Sequence, residues 1–328
     1  MKTIYIFTNG TLIRKDNTLV LDTGEEKKHL PIENIRDLFV FSEVTLNKRL
    51  LEFLTKYGIA IHFFNHYGYY TGTYYPREHL NSGHLIVKQV ECYIDPARRI
   101  NLAKGFVTGA ARNILHVIGY CRKSHDELQT IIENVKGFAE GIPKTKTIEG
   151  LMGIEGNIRD AYYSSFDPIL SRKGFSYSGR SRRPPKTPLN SLISFGNMLM
   201  YSTLLTEIYK THLDPRIGYL HATNFRRFTL NLDVSEIFKP IIVDRTIFSV
   251  IQNKEIVPED FEESAQGLLM TEKAKRLFVQ RYDEHLDATF HHRRVGKVSY
   301  RKVIRMELYK IEKHLIGDTE YEPFISQW

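Results

Sequence analysis

The stretch ARRINLAKGFVTGAARNILHVIGYCRK (97–123) decides the fold, because it is where the hydrophobic period of the chain changes. Before it, apolar residues come in short runs of strand length. From about Pro96 onward they recur every three or four residues, and 97–123 reads as one long helix. Upstream, residues 2–41 alternate apolar runs with the breaks KDN and DTG, which read as hairpin turns. LNKRLLEFLTKYG (46–58) is an amphipathic helix stopped at Gly58, and IAIHFFN (59–65) and YYTGTYY (69–75) return to strand character. At 328 residues the chain exceeds the usual size of one domain. The predicted class is α+β. A small N-terminal β-sheet or sandwich domain (1–76) and a linker (77–95) precede a larger all-α domain (96–328).

Downstream the period stays helical. Ser124 with Glu127 reads as a capping box opening a helix along Leu128, Ile131, Ile132, Val135 and Phe138. PLNSLISFGNMLMYSTLLTEIYK (188–210) is apolar nearly all round, as expected of a buried central helix. Two further helices are predicted at 271–286 and 299–315. The loop SRKGFSYSGRSRRPPKTP (171–188), rich in Gly, Ser, Pro and Arg, is expected to be mobile.

Composition excludes several classes. Hydrophobic content of 42% and charged content of 26% are those of a soluble globular protein. No apolar run approaches the length of a membrane span, and MKTIYIFTNG is too short and too quickly polar for a signal peptide, so no membrane role is expected. Two cysteines, Cys92 and Cys121, build neither a disulfide framework nor a zinc cage; the expectation is a cytoplasmic protein with structural thiols.

A formal net charge of +8 points to an anionic partner. Between Asp167 and Glu207 no acid occurs, yet Arg172, Lys173, Arg180, Arg182, Arg183 and Lys186 do. Between Asp287 and Glu307 a second acid-free stretch carries Arg293, Arg294, Lys297, Arg301, Lys302 and Arg305. A surface built only for solubility mixes its charges, so long stretches of one sign read as binding of a phosphate backbone.

Against this background three groups are out of place. TIEGLMGIEGNIRDAYYSSF (147–166) reads as a helix with a stripe at Ile148, Leu151, Ile158, Tyr162 and Phe166, and Glu155 falls on that stripe. A carboxylate held against a core face is costly unless paired or coordinated, and Arg159, four residues on, is the local partner. A place at the helix edge, in solvent, is the other reading. GYLHATNFRRF (218–228) sets His221 just after an apolar pair. NLDVSEIFKP (231–240) carries Asp233 and Glu236 at i and i+3, on one face if helical, within an apolar segment. Carboxylates with one imidazole make a seat for a hard divalent ion.

The motifs GIEGNIRDAYY, RRPPKTPLNSLISFGNMLMY and IGYLHATNFRRFTLNLDVSEIFKPIIVDR, with the closing DTEYEPF, resemble those of the CRISPR-associated integrase family over essentially the whole chain. This is the larger of the two core proteins that capture new spacers. The resemblance implies a metal-dependent DNA endonuclease and integrase that joins the 3′-hydroxyl of a captured duplex to a phosphodiester of the CRISPR repeat. It implies Glu155, His221 and Glu236 as ligands of Mg²⁺ or Mn²⁺. His221 is alternatively a general base. Asp233 would orient the ligands or help a second ion. Lys239 stands where the family usually has Arg, which loses a forked grip on phosphate. Arg159, Arg182, Arg183, Arg226 and Arg227 adjoin these motifs and are expected at DNA, with Lys239, Arg293, Arg294, Lys297 and Arg301.

The partners implied are double-stranded DNA, a second copy of the chain forming a homodimer, and a small ferredoxin-like protein flanked by two such dimers. Phe39, Phe41, Tyr69, Tyr70, Tyr74 and Tyr75 give the β domain an aromatic face, either the dimer surface or the domain's own core. Two other functions remain open from the residues: a stand-alone nuclease for branched DNA, and a non-catalytic DNA-binding scaffold in which the acids only pair with arginines.

Overall fold

The computed structural model describes the chain except residues 78, 79, 81, 123–125, 182, 183, 223–227, 294, 327 and 328. It divides into two compact units, Met1–Asn81 and Ser82–Trp328.

The first unit is built from two four-stranded sheets. One runs in the order β1 (Lys2–Ile6), β5 (Ile35–Val40), β7 (Ile61–Phe64), β8 (Tyr70–Tyr74), with only the last pair antiparallel. The other runs β4 (Lys27–Pro31), β3 (Thr18–Asp22), β2 (Gly10–Lys15), β6 (Val44–Thr45). Strand alternation sorts the side chains. Leu38 and Val40 of β5 join Ile6, Leu12, Leu19, Ile61 and the apolar face of α1 (Lys48–Lys56) in one core. Phe39, between them, turns to the other face and packs with Phe64, which stacks in turn on Phe41 at 4.4 Å. The expected aromatic face therefore splits. Phe39 and Phe41 are buried on one side, whereas Tyr74 packs against the core on the other, its hydroxyl 2.6 Å from Thr55 Oγ1.

The second unit is helical and opens earlier than its periodicity predicts. Residues 83–94, read as linker, form α2 (Gly83–Ile94). Ser82 caps it by accepting from the Leu85 amide, and Leu85, Gln89 and Cys92 are buried along one stripe. A single stripe with a polar residue in it is too weak a signal to read from sequence. α3 (Pro96–Cys121) follows, with Asp95 capping its first turn and Pro96 in that turn. α4 (Leu128–Ala139) is buried at Leu128, Ile132 and Val135. The proposed cap Ser124 lies outside the described residues, and Glu127 makes no capping bond with its side chain.

The remaining elements are α5 (Ile148–Ser164), α6 (Phe166–Leu170), α7 (Pro188–Tyr209), α8 (Leu230–Phe238), one π turn (Pro240–Asp244) and α9 (Arg245–Gln252). Then come the hairpin β9 (Phe261–Ser264) and β10 (Gly267–Met270), α10 (Glu272–Asp287), the hairpin β11 (Thr289–His292) and β12 (Gly296–Ser299), and α11 (Tyr300–Leu315). The two hairpins are not announced by the helical period around them.

α3 packs on α8, α4 and α5, and α7 packs on α8. α7 is buried along most of its length, as its all-round apolarity predicts. At Gly196 a side chain would meet Val243 Cγ1 at 2.5 Å, so glycine lets the π turn sit against α7. The described part of the 171–188 loop is tied down: Arg180 donates to Asn190 Oδ1 (2.9 Å) and Ser194 Oγ (3.0 Å), and Pro185 O accepts from the Leu268 amide. Residues 321–326 return to α3, where Asn113 Nδ2 donates to both Ile237 O (2.9 Å) and Phe324 O (3.1 Å). Asn113 Oδ1 accepts from the Ser326 amide, and Phe324 stacks on Phe238. Cys92 and Cys121 are free thiols, and no described helix is long and apolar enough to cross a membrane.

Candidate functional site

The site lies wholly in the second unit, on α5, α8 and the loop before α8. Thr147 caps α5 by accepting from the Gly150 amide. The 3.6-residue period then buries Leu151, Ile158 and Tyr162. Glu155 sits at the edge of that stripe, its side chain 21% exposed. Its partner is the one the sequence offers: Arg159 Nε donates to Glu155 Oε1 at 3.3 Å. The same guanidinium reaches across to α8 and donates through Nη2 to Glu236 Oε2. Glu236 is buried, and its other oxygen accepts from Lys239 Nζ at 2.5 Å. Two carboxylates from separate helices thus converge on one buried cation. Burial opposes the Arg159 charge, but Tyr163, Glu155 and Asp244 outweigh it and hold the guanidinium above its ordinary range.

Asp233, one turn before Glu236, is fully buried and takes four hydrogen bonds. Oδ2 accepts from the amides of Tyr219 (2.5 Å) and Leu220 (3.0 Å), and Oδ1 from the His221 amide (2.9 Å) and ring Nδ1 (2.8 Å). The His221 loop is therefore wrapped on a single carboxylate. With Nδ1 donating to Asp233, Nε2 is left as the nitrogen with a lone pair. Because Asp233 and Glu236 lie three residues apart on α8, the imidazole and the Glu236 carboxylate share one face of that helix.

Three further contacts hold the loop. Gln89 of α2 accepts from the Asp214 amide at 2.7 Å and donates to Asp214 O at 3.2 Å. Arg99 Nε donates to Tyr219 O at 2.9 Å. The Gly218 amide donates to Thr229 Oγ1 at 2.8 Å, where a side chain on residue 218 would collide with Thr229. The contacts of Gln89 and Arg99 were not legible locally, since they span 125 and 120 residues.

Behind the site, at the end of the π turn, lies Asp244. It is fully buried, and burial pushes its carboxyl up to about 6 despite the nearby Arg159. The Tyr162 hydroxyl lies beside it without meeting hydrogen-bond geometry, so among the described residues neither Asp244 oxygen has a partner. A signal was present in the sequence: Asp244 is a lone acid in the apolar run PIIVDR, an anomaly of the same kind as Glu155.

The expected DNA contacts are sorted by burial. Arg159 and Lys239 are buried and paired with the acids described above, and Arg301 is buried with Asp283 and Asp287. In this arrangement the charges of those three are taken up by carboxylates of the chain itself. Arg293 and Lys297 are exposed on the β11–β12 hairpin, as are Arg172, Lys173, Lys186 and Lys302 from the same two acid-free stretches. Arg182, Arg183, Arg226, Arg227 and Arg294 lie outside the described residues.

A two-sheet β unit before a larger helical unit is an architecture that known proteins share. The profile of the CRISPR-associated protein Cas1 family matches residues 4–284. A CRISPR-associated endonuclease of Thermodesulfovibrio yellowstonii is 55% identical over 328 residues, covering 100% of this chain and 99% of that protein. The solved structure of a Cas1 protein from Thermotoga maritima aligns over 100% of both chains, with 45% identity and a TM-score of 0.89. A casposase bound to an integration product shares the fold, with a TM-score of 0.88 over 99% of this chain and 94% of that one, at 19% identity. The chain belongs to the Cas1 family.

Proposed function

We propose that this Cas1-family chain is a divalent-metal-dependent DNA endonuclease and integrase that inserts DNA fragments into a CRISPR array. The observation that carries the reading is the convergence of Glu155 and Glu236 on one cation, with a histidine tied through Nδ1 to Asp233, which shares a face of α8 with Glu236. A place built by two carboxylates for positive charge, next to a free imidazole nitrogen, matches the donor set that Mg²⁺ or Mn²⁺ takes. Among the described residues no three His, Cys, Asp or Glu side chains are gathered closely enough to hold an ion, and Arg159 lies between Glu155 and Glu236. The guanidinium is the stand-in cation.

Glu155, Glu236 and His221 Nε2 would hold the ion, which supplies a Lewis acid for the scissile phosphate and for activating the attacking hydroxyl. Asp233 fixes the ring orientation and tautomer of His221. Lys239 holds the second oxygen of Glu236 and so orients it from behind. Exposed Arg172, Lys173, Lys186, Arg293, Lys297 and Lys302 supply the backbone grip. In strand transfer the 3′-hydroxyl of the captured fragment forms a new phosphodiester as the repeat's own bond breaks; with water as nucleophile the same displacement is cleavage. Joining both ends of a fragment requires two such sites, which supports a homodimer and, following the family resemblance, assembly around a small ferredoxin-like partner.

The test uses a labelled duplex with free 3′-hydroxyls, a supercoiled plasmid and Mn²⁺. Glu155→Ala, His221→Ala and Glu236→Ala should each lose cleavage and joining while retaining DNA binding in gel-shift assays. Near-normal activity of the Glu155 or Glu236 variant refutes the site. Cleavage by the wild type without any joined product refutes the integrase half of the reading.

A further inference from the structure

Arg159 presents an imbalance that its two ion pairs do not resolve. Its Nη1 is buried without a partner among the described residues, although Nε serves Glu155 and Nη2 serves Glu236. Asp244, also fully buried, interacts electrostatically with Arg159 and has both oxygens unpartnered. Folded proteins pair nearly all their buried polar atoms, and an unpaired donor beside an unpaired carboxylate, both charged, is among the costliest exceptions. Neither group can find relief in water. Each could find it in the other.

The two carboxylates that Arg159 occupies are the ones proposed to take the metal. A divalent ion seated on Glu155 and Glu236 would face a guanidinium and the Lys239 ammonium in a buried place, with only two glutamate charges to offset all three cations. Lys239 has a second resting contact, over the Tyr201 ring at 4.8 Å. Arg159 has Tyr163, at 5.9 Å from its guanidinium carbon, and beyond that Asp244.

We propose that Asp244 is the second berth of Arg159: the guanidinium closes the site by bridging Glu155 and Glu236, and opens it by moving to Asp244 when a divalent ion binds. Asp244 is then a positioning residue that never touches the ion. It sets how much of the protein is competent to take metal, because apparent affinity scales with the fraction in the open arrangement. Tyr162, whose hydroxyl lies beside Asp244 and meets no strict hydrogen-bond geometry among the described residues, is placed to donate to the same carboxylate once Arg159 arrives. The inference rests on the metal reading of Glu155, His221 and Glu236 and adds a mechanism by which the two glutamates are kept neutral before an ion binds.

The experiment is Mn²⁺ binding to the full chain without DNA, read by electron paramagnetic resonance of free Mn²⁺, together with thermal unfolding of each metal-free variant. Asp244→Asn keeps the shape and removes the berth. It should weaken Mn²⁺ binding by about 10–100-fold, the usual loss for a residue behind the ligands. Its metal-free melting temperature should stay level or rise, which a merely structural carboxylate would not do. Arg159→Gln removes the lock and should bind Mn²⁺ more tightly than wild type. In the Arg159→Gln background, adding Asp244→Asn should change binding by less than about twofold, since coupled groups lose their effect together.

Wild-type affinity in Asp244→Asn, weaker binding in Arg159→Gln, or an equal loss from Asp244→Asn with and without Arg159 overturns the switch while leaving the metal site standing. Mn²⁺ binding unaffected by Glu155→Ala and Glu236→Ala overturns the site and the switch together.

Discussion

Asp233→Ala offers the most direct test of how the site is held. The carboxylate accepts from three backbone amides and one imidazole inside a fully buried pocket. Removing it leaves the amides of Tyr219, Leu220 and His221 without an acceptor. Each buried donor left unsatisfied costs about 1–2 kcal/mol, so the three together cost roughly 3–6 kcal/mol. For a helical unit of this size, about 2–4 °C of melting temperature corresponds to each kcal/mol, which places the shift at roughly 6–24 °C. Asp233→Asn keeps one accepting oxygen and should fall between the two proteins. Thermal unfolding gives the size of the effect, and amide hydrogen exchange gives its location, with protection at 219–221 lost before that of α7. A shift under about 2 °C with exchange at 219–221 unchanged would show that the loop is held by Gln89, Arg99 and Thr229 instead, and would refute the reasoning.

Three other expectations follow from the geometry. Asp244 has a folded pKa of about 6 against 3.8 for an ordinary Asp, so its stabilising contribution is full below about 3.8 and lost as pH rises through 6. Asp244→Asn lacks this term: its stability relative to wild type should improve by up to about 3 kcal/mol between pH 4 and pH 7, and a flat difference in melting temperature across that range refutes it. DNA binding through the two acid-free stretches should be sequence-tolerant and fall by ~10³–10⁵ in affinity between about 50 and 200 mM salt, if about six to ten phosphates are contacted; a flat salt titration places those cations elsewhere. Light scattering should give a particle of twice the 38.3 kDa chain, and a clean monomer that still joins both ends of a fragment would defeat the dimer.

What could be read in advance depended on the range of the interactions. The change of period near Pro96 exposed the β-then-helix order, and the misplacement of Glu155 on an apolar stripe exposed its pairing with Arg159, because a helix brings residues four apart together. α8 was legible in the same way, with Asp233 and Glu236 on one face. The identity of what each acid grips was not. Glu236 meets Arg159 across 77 residues, and Asp214 meets Gln89 across 125. Burial of Arg159, Lys239 and Arg301 was hidden for a related reason: a cation beside a binding motif looks the same in sequence whether it faces a phosphate or a buried carboxylate. α2 was missed because its single stripe places Gln89 between Leu85 and Cys92, and that polar residue is the one that reaches the His221 loop.

The return of residues 321–326 to α3 bears on when, during synthesis, the site can exist. Asn113 ties Ile237 O, the residue after Glu236, to Phe324 O and the Ser326 amide in one buried junction. Until that last segment is made, the carbonyl end of α8 lacks part of its lock, and Phe238 lacks the ring that stacks on it. At about 5–20 residues per second, translation from Glu236 to Ser326 takes roughly 5–20 s. The nascent chain therefore carries its acids through that interval with α8 unfastened, and the packing around α8 is completed only when synthesis has reached residues 324–326.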